Sequence, residues 1–109
     1  MEAVHLAIGV LVNRNDIAKI KDAHLRGGDV RVIGLSNSDD VLLTRSWLSY
    51  NTESAVRGFF RISTSSQYEA DKSHLRNLLG SALWDEEKFG AHACIEDGRS
   101  LTLEYLVKG

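Results

Sequence analysis

Apolar and polar residues alternate along this chain in patterns that predict several strands. Residues 5–12 are apolar at nearly every position, which is typical of a central strand covered on both faces. Apolar runs at 30–35 and 41–48 flank a polar turn and predict an antiparallel hairpin. Residues 91–96 and 101–107 predict a second hairpin, turning at an Asp-Gly pair. Together these segments predict a mostly antiparallel sheet.

Two-residue alternation predicts a further strand at residues 56–62. One parity is apolar and is expected to face the core; it consists of Val56, Phe60 and Ile62. The other parity is expected to face solvent; it consists of Arg57, Phe59 and Arg61.

Two helices are predicted from capping residues and from a spacing of three or four between apolar positions. Ser66 and Glu69 have the spacing of a capping box. The helix that follows has one apolar face, formed by Tyr68, Leu75, Leu78, Leu79, Ala82 and Leu83. A shorter helical stripe follows residues 13–16 and ends at the Gly27-Gly28 pair.

The predicted element order is β-α-β-β-β-α-β-β. It corresponds to an α+β fold, in which a mostly antiparallel sheet of five or six strands carries two helices on one face. Ferredoxin-like and duplicated βαββ arrangements both fit this order. The 109 residues predict a single domain, 1–109, and a duplication would divide it into pseudo-repeat halves 1–52 and 53–109.

Composition and charge narrow the function classes. The net charge of −2 provides no overall positive potential to attract nucleic acid or an anionic membrane. The apolar run near the N-terminus is too short to span a bilayer. Cys94 is the only cysteine, which excludes an internal disulfide and favours a reducing, cytoplasmic location.

The stripe of Arg57, Phe59 and Arg61 combines an aromatic ring with two cations. Arg57-Gly58-Phe59 resembles the start of the RNP1 pattern of the RNA-recognition motif family. That resemblance implies that Phe59 stacks on a base while the arginines neutralise phosphates. The sequence departs from the family where Arg61 replaces a second exposed aromatic residue and where His5 stands in the first strand. Single-stranded RNA binding on this sheet face is therefore an alternative function.

The sequence contains no recognisable catalytic or cofactor-binding motif. No serine lies in a G-x-S-x-G nucleophile elbow, and no glycine-rich loop leads into a helix with the Lys-Ser/Thr pair that binds phosphates. His92 and Cys94 share a predicted strand face, but their apolar neighbours favour buried structural positions over metal ligation. Neither an enzyme activity nor a cofactor or metal is predicted.

Trp84 and the acidic residues after it predict a contact surface. An aromatic anchor with a charged rim is typical of protein interfaces, and open sheet edges favour pairing with another chain. The leading prediction is a non-catalytic binding or regulatory protein that contacts a partner, or forms a homodimer, through a sheet edge or this surface. A small apolar ligand between the two helices is a third alternative. The predicted partner-binding residues are Trp84, Asp85, Glu86 and Glu87.

Overall fold

The computed structural model describes residues 3–20, 30–36, 38–51, 53–96 and 101–104. In these residues one antiparallel sheet has the strand order β2-β3-β1-β4-β5. Both predicted hairpins, β2-β3 and β4-β5, are confirmed. The strands are β1 (Ala3–Asn13), β2 (Arg31–Gly34), β3 (Asp40–Asn51), β4 (Phe89–Glu96) and β5 (Leu101–Glu104).

Two α-helices cover one face of this sheet: α1 (Ala55–Thr64) and α2 (Ser66–Leu83). Both bury side chains in one cluster with the inward residues of β1, which places the helices on the same face. Two 3-10 helices, Arg14–Lys19 and Glu86–Lys88, complete the described elements. The α+β class with an antiparallel sheet is therefore confirmed.

β1 is the centre of the sheet, between β3 and β4. Leu6 and Ile8 are fully buried under the helices, while Ala7 is fully buried on the opposite face in a smaller cluster with Leu42 and Cys94. Burial on both faces explains why the sequence of this strand is apolar on both parities.

The predicted strand at residues 56–62 is wrong, because these residues lie in α1. Phe59 is only 7% exposed, whereas Phe60 is 62% exposed, the reverse of the prediction. The buried residues of α1 are spaced by three or four, so a helix buries them together against β1, whereas a strand would separate them onto two faces. These residues are Ala55, Gly58, Phe59 and Ile62.

Gly58 allows α1 to lie directly on β3. A Cβ atom at this position would overlap the aromatic ring of Tyr50, which packs against the helix there. Glycine in a helix costs about 1 kcal/mol relative to alanine. The close contact with Tyr50 explains why glycine nevertheless occupies this helical position.

The apolar face predicted for the second helix is largely confirmed. Leu75 and Leu79 are buried, and the packed but partly exposed neighbours include Tyr68 and Leu78. Ala82 is exposed. The predicted capping box is wrong, because Ser65, one residue earlier, is the N-cap and its side chain makes no capping hydrogen bond. Ser65 separates the two helices with an extended backbone.

Several predictions concern residues outside the described part of the chain. They are the second half of the first predicted helix, including His24 and Gly27-Gly28, and the Asp97-Gly98 turn. The single domain 1–109 and its division into pseudo-repeat halves 1–52 and 53–109 stay predictions. Among the described helices, none has both the length and the apolar character needed to cross a bilayer.

Candidate functional site

A β-bulge interrupts β3 at Arg45. Ile8 of β1 pairs with Ser46 and the next residue, Gly9, pairs with Thr44, so Arg45 has no opposite residue on β1. The buried Thr44 supports the bulge, because its Oγ1 lies 2.7 Å from the carbonyl oxygen of Ile8 and 2.8 Å from that of Ser46. Its hydroxyl can donate a hydrogen bond to either one.

The bulge changes which side chains of β3 face the helices. Before it, Leu43 packs in the cluster beneath the helices; after it, Tyr50 does so, which shifts the inward parity from odd to even positions. An extra residue in one strand is the usual way in which a side chain is redirected at a site. As a result, Arg45 and Ser46, although adjacent in sequence, both contact Asp71 of α2.

Asp71 is a fully buried carboxylate. Ser46 Oγ donates a hydrogen bond of 2.6 Å to its Oδ2, and Gln67 Nε2 donates one of 2.8 Å to its Oδ1. Arg45 Nη1 forms an ion pair with Oδ1 at 3.5 Å. A buried charge is costly unless it is paired and hydrogen-bonded, and these three donors meet that requirement. The network joins α2 to the bulge and fixes the direction of Arg45.

A cleft of about 600 Å³ opens beside this network, between β3 and the junction of the two helices. Leu48, Tyr50 and Ile62 contribute apolar surface, and Arg45 and Arg61 contribute cations. Arg45 is paired with Asp71, whereas Arg61 makes no ion pair within the part of the chain that the structure describes. This lining can accommodate a group that is both apolar and anionic. The predicted small apolar ligand was placed between the helices, and its binding stays a prediction.

Beyond the bulge, the outer edge of β3 has no partner among the described strands. β2 pairs with β3 from Val41 to Thr44, and no described strand pairs with residues 45–51 on that side. Leu48 lies in this segment and is 47% exposed. Unpaired N–H and C=O groups along such an edge can form hydrogen bonds with an added strand.

The four predicted partner-binding residues lie together where α2 ends, and they bond to one another. Trp84 Nε1 donates a 3.0 Å hydrogen bond to Glu86 Oε2, and Asp85 Oδ1 accepts one of 3.0 Å from the backbone N–H of Glu87. The indole ring also packs against Phe89, with 5.5 Å between ring centroids. These contacts give the segment a structural role, and partner binding through it stays a prediction.

Glu86 also forms a salt bridge with Lys72 of α2. The hydrogen bond from Lys72 is the main cause that lowers the pKa of Glu86, and the bond from Trp84 acts in the same direction. The same hydrogen bond raises the pKa of Lys72. The pair links the 3-10 helix Glu86–Lys88 to α2 at the surface, where ion pairs are weak.

The RNP1 interpretation of residues 57–61 is wrong, because Arg57, Phe59 and Arg61 do not share a sheet face. Phe59 is buried in the core and offers no ring for a base to stack on. Arg57 and Arg61 are exposed on α1, one turn apart. The sheet surface from which single-stranded RNA binding was predicted is therefore not formed by these residues.

A row of interacting side chains crosses the other face of the sheet. The Arg31 guanidinium lies 5.4 Å from the Trp47 ring centroid, and Trp47 stacks on His5 at 4.7 Å. His5 Nε2 lies 3.0 Å from Glu96 Oε2. Cation–π and stacking contacts of this kind strengthen cross-strand packing, so Trp47 is already engaged within the sheet.

His92 and Cys94 lie on the same face of β4, as predicted from the sequence. Cys94 is fully buried, and this desolvation raises the pKa of its thiol to about 11. His92 Nε2 lies 3.0 Å from the carbonyl oxygen of Lys88, which can only accept, so the imidazole donates. Across the described residues, no three or more His, Cys, Asp or Glu side chains form a group suited to holding a metal ion.

Sequence reasoning missed the bulge network, although two signals of it exist. Asp71 falls on the apolar stripe of α2, three residues after Tyr68 and four before Leu75, where a carboxylate requires partners. The polar triplet Thr44-Arg45-Ser46 interrupts an otherwise apolar strand. Both signals mark positions whose side chains meet in the structure.

Comparisons of this chain with protein-family models, with curated proteins and with solved structures find no match. Its function has to be inferred from its own geometry.

Proposed function

We propose that this protein is a non-catalytic binding protein that adds an extended segment of a partner protein to the outer edge of β3. The observation that supports this proposal is the open edge at residues 45–51, which no described strand covers. Strand addition gives affinity through main-chain hydrogen bonds, while pockets for alternate side chains give specificity. The cleft beside Leu48 and Tyr50 provides such a pocket.

Among the described residues, the edge carries one feature that usually hinders strand addition, the bulge at Arg45, and lacks the others. Native edges are commonly protected by charged residues, by proline or by a covering element. Residues 46–51 contain no charged residue and no proline. Arg45, the charged residue at the start of the segment, is turned toward Asp71. An edge that carries no charge beyond the bulge and that no described strand pairs with is what a strand-binding surface requires.

The dimensions of the edge suit a short segment. Seven residues of strand extend roughly 23 Å, the length of an ordinary strand. The bulge and the end of β2 limit the segment on one side, and the turn from Asn51 into α1 limits it on the other. The competing occupant is a second copy of this chain, because identical edges can pair about a two-fold axis.

A random 12-residue peptide library displayed on phage, selected on the immobilised protein, tests the proposal. We expect selected peptides to lose affinity when alternate residues are N-methylated, because alternate N–H groups of an added strand point toward β3. Leu48→Lys should weaken binding about tenfold or more, by placing a charge on the edge. Val32→Lys is the matched control, since Val32 lies on β2 and is 42% exposed.

Two results would contradict partner binding at this edge. One is the recovery of no peptides, or of peptides that tolerate N-methylation at every position and bind equally well to Leu48→Lys. The other is a dimer, seen by sedimentation equilibrium, that Leu48→Lys dissociates and Val32→Lys does not. That second result would assign the edge to self-association.

A further inference from the structure

We infer that the cleft beside β3 selects an acidic side chain of the added segment and that Arg61 binds its carboxylate. This inference rests on the proposed function and specifies the chemistry of the partner. Its basis is the difference between the two arginines that line the cleft, Arg45 and Arg61.

Arg45 is committed to the protein's own structure. It is the extra residue of the bulge, and its guanidinium pairs with the buried Asp71 at 3.5 Å. Moving it to a ligand would leave the buried carboxylate with Ser46 and Gln67 as its remaining partners among the described residues, so Arg45 is the less available of the two arginines. Arg45 therefore supplies positive potential at the cleft while remaining bonded to Asp71.

Arg61 is free to bind a ligand. It lies in the last turn of α1, is exposed, lines the cleft and makes no ion pair with any residue that the structure describes. The guanidinium presents N–H donors in a planar fork that matches a carboxylate in bidentate geometry. A carboxylate that enters the cleft therefore meets at its rim a cation that no described acidic residue pairs with.

The apolar part of the lining favours an acidic residue with an apolar neighbour. Leu48, Tyr50 and Ile62 line the cleft together with Arg61. Side chains two apart on an added strand point to the same side, so one can approach Arg61 while the next contacts these apolar groups. The expected motif is an Asp or Glu two residues from an apolar residue.

Arg57 provides a matched control for this inference. It lies one turn before Arg61 on α1, is also exposed and makes no ion pair with a described residue, but it does not line the cleft. A general attraction of acidic peptides to a basic helix would involve both arginines equally. Specific recognition in the cleft involves Arg61 alone.

The test repeats the selection of the phage-displayed 12-residue library on the wild type, on Arg61→Glu and on Arg57→Glu. We expect the wild-type and Arg57→Glu selections to share an Asp or Glu at a fixed position, and the Arg61→Glu selection to replace it with Lys or Arg. For a peptide selected on the wild type, Arg61→Glu should weaken binding about tenfold or more, and Arg57→Glu less than about threefold.

The outcomes separate this inference from the proposed function. Peptides with alternating sensitivity to N-methylation can come from a wild-type selection that shows no acidic position, or from an Arg61→Glu selection that retains the acidic position. In either case the carboxylate assignment is wrong and strand addition stands. Equal losses for Arg61→Glu and Arg57→Glu would also overturn the assignment. Recovery of no peptide on the wild type would overturn both proposals.

Discussion

Replacing Asp71 by asparagine tests whether the buried carboxylate holds the bulge in place. The substitution keeps the shape of the side chain but removes its charge and exchanges one acceptor oxygen for an NH₂ donor. Ser46 Oγ and Gln67 Nε2 now donate to different carboxylate oxygens, at 2.6 Å and 2.8 Å. An asparagine in the same rotamer can accept a hydrogen bond from one of these donors, while its NH₂ group faces the other donor and cannot bond to it.

The expected cost follows from these contacts. A hydrogen bond to a charged group contributes about 1.5–3 kcal/mol, so losing one and weakening the other costs about 2–4 kcal/mol. The ion pair with Arg45 adds less than about 1 kcal/mol, because the Arg45 side chain is 29% exposed and the pair is long. A loss of this size is a large part of the 5–15 kcal/mol that typically stabilises a domain.

Urea unfolding followed by tryptophan fluorescence measures this cost. Glu69→Gln, which removes an exposed carboxylate from the first turn of the same helix, should change the free energy of unfolding by less than about 1 kcal/mol. In a double-mutant cycle, Asp71→Asn and Ser46→Ala should be non-additive by about 1 kcal/mol, since they remove the same bond. If Asp71→Asn costs no more than Glu69→Gln, or if the cycle is additive, the buried carboxylate does not hold the bulge in place.

Three further predictions concern other parts of the fold. Gly9→Ala should destabilise the protein by about 1–3 kcal/mol in urea, because the added Cβ would overlap the backbone carbonyl oxygen of Leu43. Cys94 should react with a thiol reagent at pH 8 about a hundredfold more slowly than an exposed cysteine, because its pKa of about 11 leaves little thiolate. Glu86→Gln should lower stability at neutral pH, because the stabilisation by Lys72 requires the Glu86 carboxylate. The pKa of Glu86 is lowered in the folded state. The stability difference between Glu86→Gln and the wild type should therefore shrink as the pH falls from about 4.5 through that folded-state pKa.

Each of these predictions has a control. Gly34→Ala should be nearly neutral, since a Cβ there meets no atom within 4 Å, and equal costs at Gly9 and Gly34 would contradict the packing argument. Cys94 should become reactive in denaturing urea, whereas fast reaction in buffer would contradict its burial. Glu87→Gln removes an exposed neighbouring carboxylate for which no comparable partner is found among the described residues. An equal pH dependence in Glu86→Gln and Glu87→Gln would argue against the role of Lys72.

The sheet was predictable because its apolar runs are long or bounded by clear turns. The helix at residues 55–64 was not predicted, since the alternation at residues 56–62 overlaps the helical spacing of Ala55, Phe59 and Ile62. Local alternation could not show that burying Phe59 and Ile62 together against β1 is the better arrangement. Tertiary packing decided between the two periods.

The candidate site was less predictable than the fold. A bulge is visible only when two strands are aligned, and the sequence alone did not establish that Ile8 is opposite Ser46. Arg61 was predicted to contact a ligand, but on a strand rather than on α1. Asp71 on an apolar helix face and the polar triplet at 44–46 each signal a polar contact, but neither shows that the two meet.

The bulge at Arg45 also bears on how this chain can diverge. Removing that residue would place Thr44 and Ser46 next to each other, still opposite Gly9 and Ile8, so simple alternation would be restored while Leu48 and Tyr50 keep facing the helices. A chain without that residue would keep the same polarity from Ser46 onward and would lose the side chain that pairs with Asp71. The extra residue therefore adds a contact with α2 to this edge of the sheet without changing how the rest of β3 packs.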